Sequence, residues 1–207
     1  MATRSATPDK TPRTERGRKT LRKLLDAAAR EFAEHGFHEA SISAITRRAG
    51  VALGTFYTYY DTKDAIFRAL VSDMSQAVGK AAREAIEPDM GALQIERAAL
   101  QAFLEFASDN KAIYRIIDEA EFVDPESYRT HYETIAQRIE ERLRAGGATG
   151  EMRAGLGTPE AWALMGMNVF LGLRYAIWSR DGDPGVDDVA KVANRMLANG
   201  LLPLPDA

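Results

Sequence analysis

Apolar residues in this chain recur every three to four positions, and no run alternates between turn signals as a strand would. Leu21, Leu24, Leu25, Ala28 and Phe32 trace one face of a helix that Gly36 should stop, with Phe37 folding back onto its last turn. Ser41 sits where a side-chain oxygen would cap the next helix, whose inner face is Ile42, Ile45 and Ala49 and whose end is Gly50. Val51 to Leu53 reads as a turn and Gly54 to Tyr60 as about two helical turns. A longer helix follows, capped by Asp61 with Asp64 three residues on, carrying Ile66, Phe67, Leu70, Val71 and Met74 as far as about Glu87, before Pro88. The remainder follows the same period. Pro125 starts a helix through Leu143, "GGATGEMRAGLGTP" reads as a loop, Thr158 with Pro159 opens one helix and Asp183 with Pro184 another, closed by Gly200. An all-α fold is expected, and the glycine-containing turn between the second and third helices gives the helix-turn-helix pattern.

Composition narrows what such a fold can do. With 207 residues, 45% of them hydrophobic and 28% charged, the chain is ordinary for a globular protein. It has no cysteine, which excludes disulfides and thiolate metal sites. Residues 1–20 hold no apolar stretch, so no secretory leader and a cytoplasmic location are expected. The net charge is −3, but Arg4, Lys10, Arg13, Arg16, Arg18, Lys19, Arg22 and Lys23 crowd the start while later segments are acidic. That asymmetry points to a polyanion at one end, or to a solvated tail. His35, His38 and His131 are isolated, without metal-ligand spacing, and no glycine-rich phosphate loop follows a strand. No metal, no cofactor and no enzyme activity are expected.

The segment "VALGTFYTYYDTKDAIF" is too aromatic for a solvated helix and too polar for a core. Phe56 and Tyr60, four apart, share one face; Thr55, Tyr57, Thr58 and Tyr59 fall on the others, with Lys63 just beyond. Their hydroxyls and ammonium suit phosphate oxygens, and double-stranded DNA outweighs the alternative of an aromatic core corner. "ASISAITRRAGVALGTFYTYYDTKDAIFRAL" resembles the DNA-binding head of the tetracycline-repressor (TetR) family of bacterial regulators, through Ile-x-x-x-Ala-Gly-Val, Gly-Thr-Phe-Tyr, the closing tyrosines and Lys63. The resemblance implies that Ser41 and Ser43 begin the helix crossing the DNA backbone, that Leu53, Gly54, Thr55, Tyr57, Thr58 and Tyr59 enter the major groove, and that Tyr57, Tyr59 and Lys63 meet phosphates. Thr46, Ala52 and Tyr60 depart from the family pattern, and Ala52 lacks a capping hydroxyl. The recognition segment has no Arg, Lys, Asn or Gln, so base discrimination would come from threonine, thymine methyls, Arg47 or Arg48, or DNA shape.

Three parts are expected: a flexible basic tail over residues 1–17, a head over 18–75 and an effector-binding and dimerisation body over 76–207. "AWALMGMNVFLGLRYAIW", apolar nearly all round, has the length of a membrane span, but Asn168, Arg174 and charged flanks argue for a helix buried on two faces. With Val192 and Met196 of the last helix, its Val169 and Leu173 are candidates for a homodimer interface, and no membrane association is expected. Phe103, Phe106, Tyr128, Tyr132, Trp162 and Asn168 are candidates to line an apolar effector cavity. Arg174, expected to be buried, would need an acidic partner such as Glu121 or the anionic head of a ligand. Asp118, Glu119, Glu121 and Asp124 read as a solvated acidic face. "YRIIDEAEFVDPESYRTHYE" is similar to acyl-CoA-responsive regulators of fatty-acid degradation. The expected function is a homodimeric repressor released from its operator by a small apolar effector; the alternative is a helical protein-binding module that never touches DNA.

Overall fold

A computed structural model describes residues 12–201. Among them are nine α-helices, one π-helical segment and no strand. They are α1 (Glu15–Glu39), α2 (Ile42–Ala49), α3 (Leu53–Tyr59), α4 (Lys63–Glu84), α5 (Ala92–Asp109), α6 (Ala112–Val123), α7 (Pro125–Thr149), α8 (Thr158–Gly172), the π segment Leu173–Ile177 and α9 (Val186–Leu201).

The head is made by α1 to α3 and the first half of α4. Gly36, at φ 77° and ψ 168°, breaks the helical path inside α1, a conformation that side chains with a Cβ rarely adopt. The break swings Phe37 onto Phe32, ring centroids 5.8 Å apart, and both rings pack against Phe67. Ser41 caps α2 by accepting from the Ala44 amide at 3.1 Å, and Gly50 closes it in the left-handed conformation. Ile45, Phe56, Ile66 and Phe67 are completely buried.

α4 runs out of this core into the body, where it packs on α5 and α7. Around it, α5 to α9 form two further apolar clusters, one among α5, α7 and α8, the other between α5 and α9. Head and body also meet through α1 and α6.

Several boundaries move from their sequence expectation. The tail expected over 1–17 is shorter, because Thr14 caps α1 by accepting from the Gly17 amide at 3.1 Å; residues 1–11, including Arg4 and Lys10, lie outside the described residues. Thr62, not Asp61, caps α4, its hydroxyl accepting from the Ala65 amide at 3.0 Å, and α4 ends at Glu84. α7 continues past Leu143 to Thr149, because Gly146 lets Met152 and Ala92 close on the helix; a Cβ there would stand 2.9 Å from Met152 Sδ. Gly157 rather than Thr158 precedes α8, and its amide is capped by Glu160 at 3.0 Å. Asp183 caps no helix; α9 begins three residues later.

Candidate nucleic-acid interface and effector cavity

α2 and α3 are held by their buried sides and present the others. Ser41, Ser43, Arg47, Leu53, Gly54, Tyr57 and Thr58 are exposed, and Thr55 is half-buried. Leu53 and Tyr57 are 47% and 48% exposed, uncommon for large apolar side chains on a seven-residue helix that must borrow its stability from neighbours. Ala52 makes no side-chain cap, as its lack of a hydroxyl requires. The two candidate arginines separate cleanly. Arg48 is bound to Glu31 and Glu34, donating from Nε and Nη2 to Glu31 at 3.3 and 3.1 Å and from Nη1 to Glu34 at 3.0 Å. Arg47 is exposed and makes no hydrogen bond or ion pair among the described residues.

Three candidates stand differently from their expected roles. Lys63 does not reach outward. Its ammonium donates to the carbonyl oxygens of Phe37, His38 and Ala40 at 2.6, 3.1 and 2.8 Å and lies 4.5 Å from the centre of the Phe37 ring. All three protons are committed to closing the C-terminal end of α1, so Lys63 serves the fold of the head. Tyr59 is half-buried and packs on the head core, close to Gly17 at the start of α1. Thr58 spends its proton on the Gly54 carbonyl at 3.3 Å, leaving its oxygen to accept.

In the body, α4, α5, α6, α7 and α8 surround a cavity of about 90 Å³. Phe103, Tyr132 and Asn168 are brought together in its wall, with Tyr114, Ile117, Ile139 and Met165. His131 lies there too, Nδ1 2.5 Å from Ser75 Oγ; burial, helped by Arg138, pushes its imidazole down to about 4. Tyr114 donates to the Val169 carbonyl at 2.6 Å, and burial raises the phenols of both Tyr114 and Tyr132. Asp118, at the rim, is shifted upward by burial and then by Glu121.

Four expected effector residues lie elsewhere. Phe106 and Tyr128 pack against the head-side core, Tyr128 edge-on to Tyr132 with centroids 5.0 Å apart. Trp162 is 42% exposed and points away from the cavity, while Val169, expected at an interface, lines it. A helix apolar on every side gives no sequence signal for which face looks inward. Arg174 is not buried against a ligand: in the π segment it forms a two-pronged pair with Asp183 at 2.7 and 2.8 Å and lies 4.8 Å from the Tyr175 ring. That pairing, then the Arg180 amide, holds the Asp183 carboxyl down at about 2. Its partner is thus neither Glu121 nor a bound anion, because the loop after the π segment folds back within nine residues.

The acidic run is also more than a solvated face. Glu119 Oε1 accepts from the Phe37 amide at 2.6 Å, Arg115 donates to the Ala33 carbonyl, and Asp124 accepts from Arg68 at 2.8 Å. Glu119 and Arg115 clamp the kink of α1 to the body, a contact missed by sequence reasoning. Their four-residue spacing on one helical face was the available signal.

Residues 24–70, which hold this closed core and the α2–α3 pair, match the family described as bacterial regulatory proteins, tetR family. This segment is a TetR-family DNA-binding segment. The chain is also similar to an uncharacterised HTH-type transcriptional regulator of Bacillus subtilis, YdgC, 28% identical over 91% of this chain and 95% of that protein. Among solved structures, the fatty acid degradation regulator FadR from Bacillus halodurans has a TM-score of 0.76 at 17% identity, covering 90% of this chain and 96% of its own. FadR from Bacillus subtilis, solved in complex with stearoyl-CoA, has a TM-score of 0.74 at 19% identity, covering 86% and 98%. At these identities they share the TetR fold. The protein is thus a DNA-binding transcriptional regulator of helix-turn-helix type. Among the described residues no helix is long and apolar enough to cross a membrane, and no cluster of three or more His, Asp or Glu is placed to hold a metal.

Proposed function

We propose that the protein is a homodimeric repressor that binds operator DNA through α2 and α3 and is released by a small apolar effector held in the body cavity. The observation that carries the DNA half is the α3 face, with Leu53 and Tyr57 exposed beside an uncommitted Arg47. Ser41, Ser43 and Tyr57 supply phosphate contacts, while Leu53, Gly54, Thr55, Thr58 and Arg47 approach base edges. The head extends over about residues 18–75, although its last helix continues into the body.

Two-fold recognition needs two heads, and an open apolar face supplies the joint. Phe170, Trp178 and Met196 are 71%, 58% and 67% exposed, and Trp162 and Val192 lie on the same two elements, α8 with its π segment and α9. A face this apolar is what a second copy would cover, giving a four-helix interface. α4 supplies the signal. Its first half carries Ile66, Phe67 and Leu70 of the head core, and its second half puts Val78, Gly79 and Ala82 in the cavity wall. A ligand that parts the cavity wall therefore tilts the helix that seats both heads, and coupling is reciprocal. The stearoyl-CoA bound to the B. subtilis FadR makes acyl chains the first effector class to test. A space of about 90 Å³ favours short ones unless the helices part.

Mobility shifts on the DNA upstream of its own gene, across a salt series, test the reading. Specific binding with a steep negative salt slope is expected, and Arg47→Ala should lower affinity and relax sequence preference. Absence of specific binding at every salt concentration would leave only a protein-binding module. Met196→Glu should sediment as a folded monomer; a wild-type dimer from that variant rejects the joint. Deleting the gene should raise transcription from the operator-bearing promoter, and a fall would make it an activator.

A further inference from the structure

Two charged side chains of the cavity wall pair with no described residue: Asp118, which is exposed, and Arg138. Arg138 of α7 is half-buried, yet it makes no hydrogen bond or ion pair with any described residue. The neighbouring arginine shows what the usual solution looks like: Arg142 donates from Nε and Nη2 to the buried Glu96 at 2.6 and 2.9 Å. Leaving a desolvated cation unpaired is costly, and such groups are retained where a partner arrives. Asp118 is not that partner. It acts on Tyr114 and Tyr132, whereas the charges that act on Arg138 are Arg83, Glu141 and Arg142. Burial and two cationic neighbours lower the pKa of Arg138, and one adjacent carboxylate opposes them.

The seat of this guanidinium is specific. It lies against the backbone of α4 at Gly79, where a Cβ would stand 1.8 Å from Nη1 and 2.6 Å from Cζ. A Cβ at position 79 would displace the guanidinium from this pose. Glycine in the interior of a helix lowers helix stability, so its presence here opens the slot for Arg138.

We propose that Arg138 is a head-group subsite, taking the carboxylate or phosphate of an amphipathic anion whose apolar body lies among Phe103, Ile117, Ile139 and Met165. This rests on the reading of the cavity as the effector site. A planar guanidinium offers paired donors to either group, which an ammonium does not. The anion also draws Arg138 away from Gly79, so that occupancy is felt first by α4.

Calorimetric titration of the full-length protein with octanoate, octyl phosphate and octanol tests it, since the three share a tail and differ in the head. At least one anion should bind about tenfold or more tightly than octanol, and the two anions compared show which head is preferred. Arg138→Gln should bring the anions down to the octanol level while octanol itself is unchanged. Arg138→Lys, which keeps the charge and loses the fork, should fall between. Circular dichroism of both variants establishes that they are folded. If all three probes bind alike, or if Arg138→Gln keeps the preference for anions, the subsite is wrong and the cavity reading survives. If none binds, the cavity reading falls and the subsite with it.

Discussion

The head encloses its phenylalanines and the body does not. Phe32, Phe56 and Phe67 are wholly buried, and several polar groups around this core are committed: Lys63 to three carbonyls, Arg48 to two glutamates, and Glu119 Oε1 to the Phe37 amide, although its Oε2 is buried without a partner among the described residues. In the body, Phe103, Tyr114 and Tyr132 border a cavity, Arg138 within it pairs with no described residue, and Phe170, Trp178 and Met196 stand in the open. A closed core holds one shape, as a reading head must, because misplacing α3 by an ångström forfeits base contacts. A loosely filled core can take up a ligand and rearrange around it, since empty volume is where packing constraints are absent.

If that contrast is real, damage should be dearer in the head. Phe67→Ala removes a ring that touches both Phe32 and Phe37, and should cost about 3–5 kcal/mol of stability, read as a lowered urea midpoint. A loss below about 1 kcal/mol would mean that the head is as loosely packed as the body.

Lys63→Met keeps the stem and removes the ammonium, leaving three carbonyls at the end of α1 without their donor. The expected cost is about 2–3 kcal/mol, with DNA affinity lost in proportion to the unfolded fraction. Normal stability with weakened binding to every sequence would return Lys63 to the phosphate backbone.

The smallest effect belongs to the body and depends on pH. His131 is held down to about 4 from 6.5, chiefly by burial and then by Arg138. Above pH 6.5 both folded and unfolded chains carry it neutral; below, the unfolded chain binds a proton that the folded one refuses. Its contribution is therefore fully present above pH 6.5 and lost as pH falls toward 4. Urea titrations across that range should show the loss, and His131→Gln should flatten it. An unchanged slope in the variant would place the pH dependence elsewhere.

The sequence was most informative where function depends on short-range geometry. Ser41 as a cap, Gly50 as a left-handed stop and Gly36 as a break in α1 each follow from one residue and its neighbours. The solvent-facing side chains of α3 followed from a period of 3.6 once Phe56 was placed inward. Lys63 shows the limit. Its position beyond α3 suited a phosphate, but the carbonyls it caps come from residues 23 to 26 positions earlier, which only the fold brings within reach.

In the body, periodicity determined that helices form but not where their faces look. On α8, apolar all round, Trp162 and Val169 could each be turned either way, and packing against α5 and α7 turned Val169 to the cavity and Trp162 outward. The sequence by itself determined an all-α chain, the cap at Ser41, the break at Gly36, the stop at Gly50 and a helix-turn-helix head of TetR type, because these rest on backbone conformation and local spacing. Tertiary structure alone decided that Arg174 pairs with Asp183, that Glu119 clamps the head to the body, and that Arg138 lies unpaired on Gly79. An ion pair or a cavity is a relation between distant segments, and its free energy depends on a desolvation that no local pattern records.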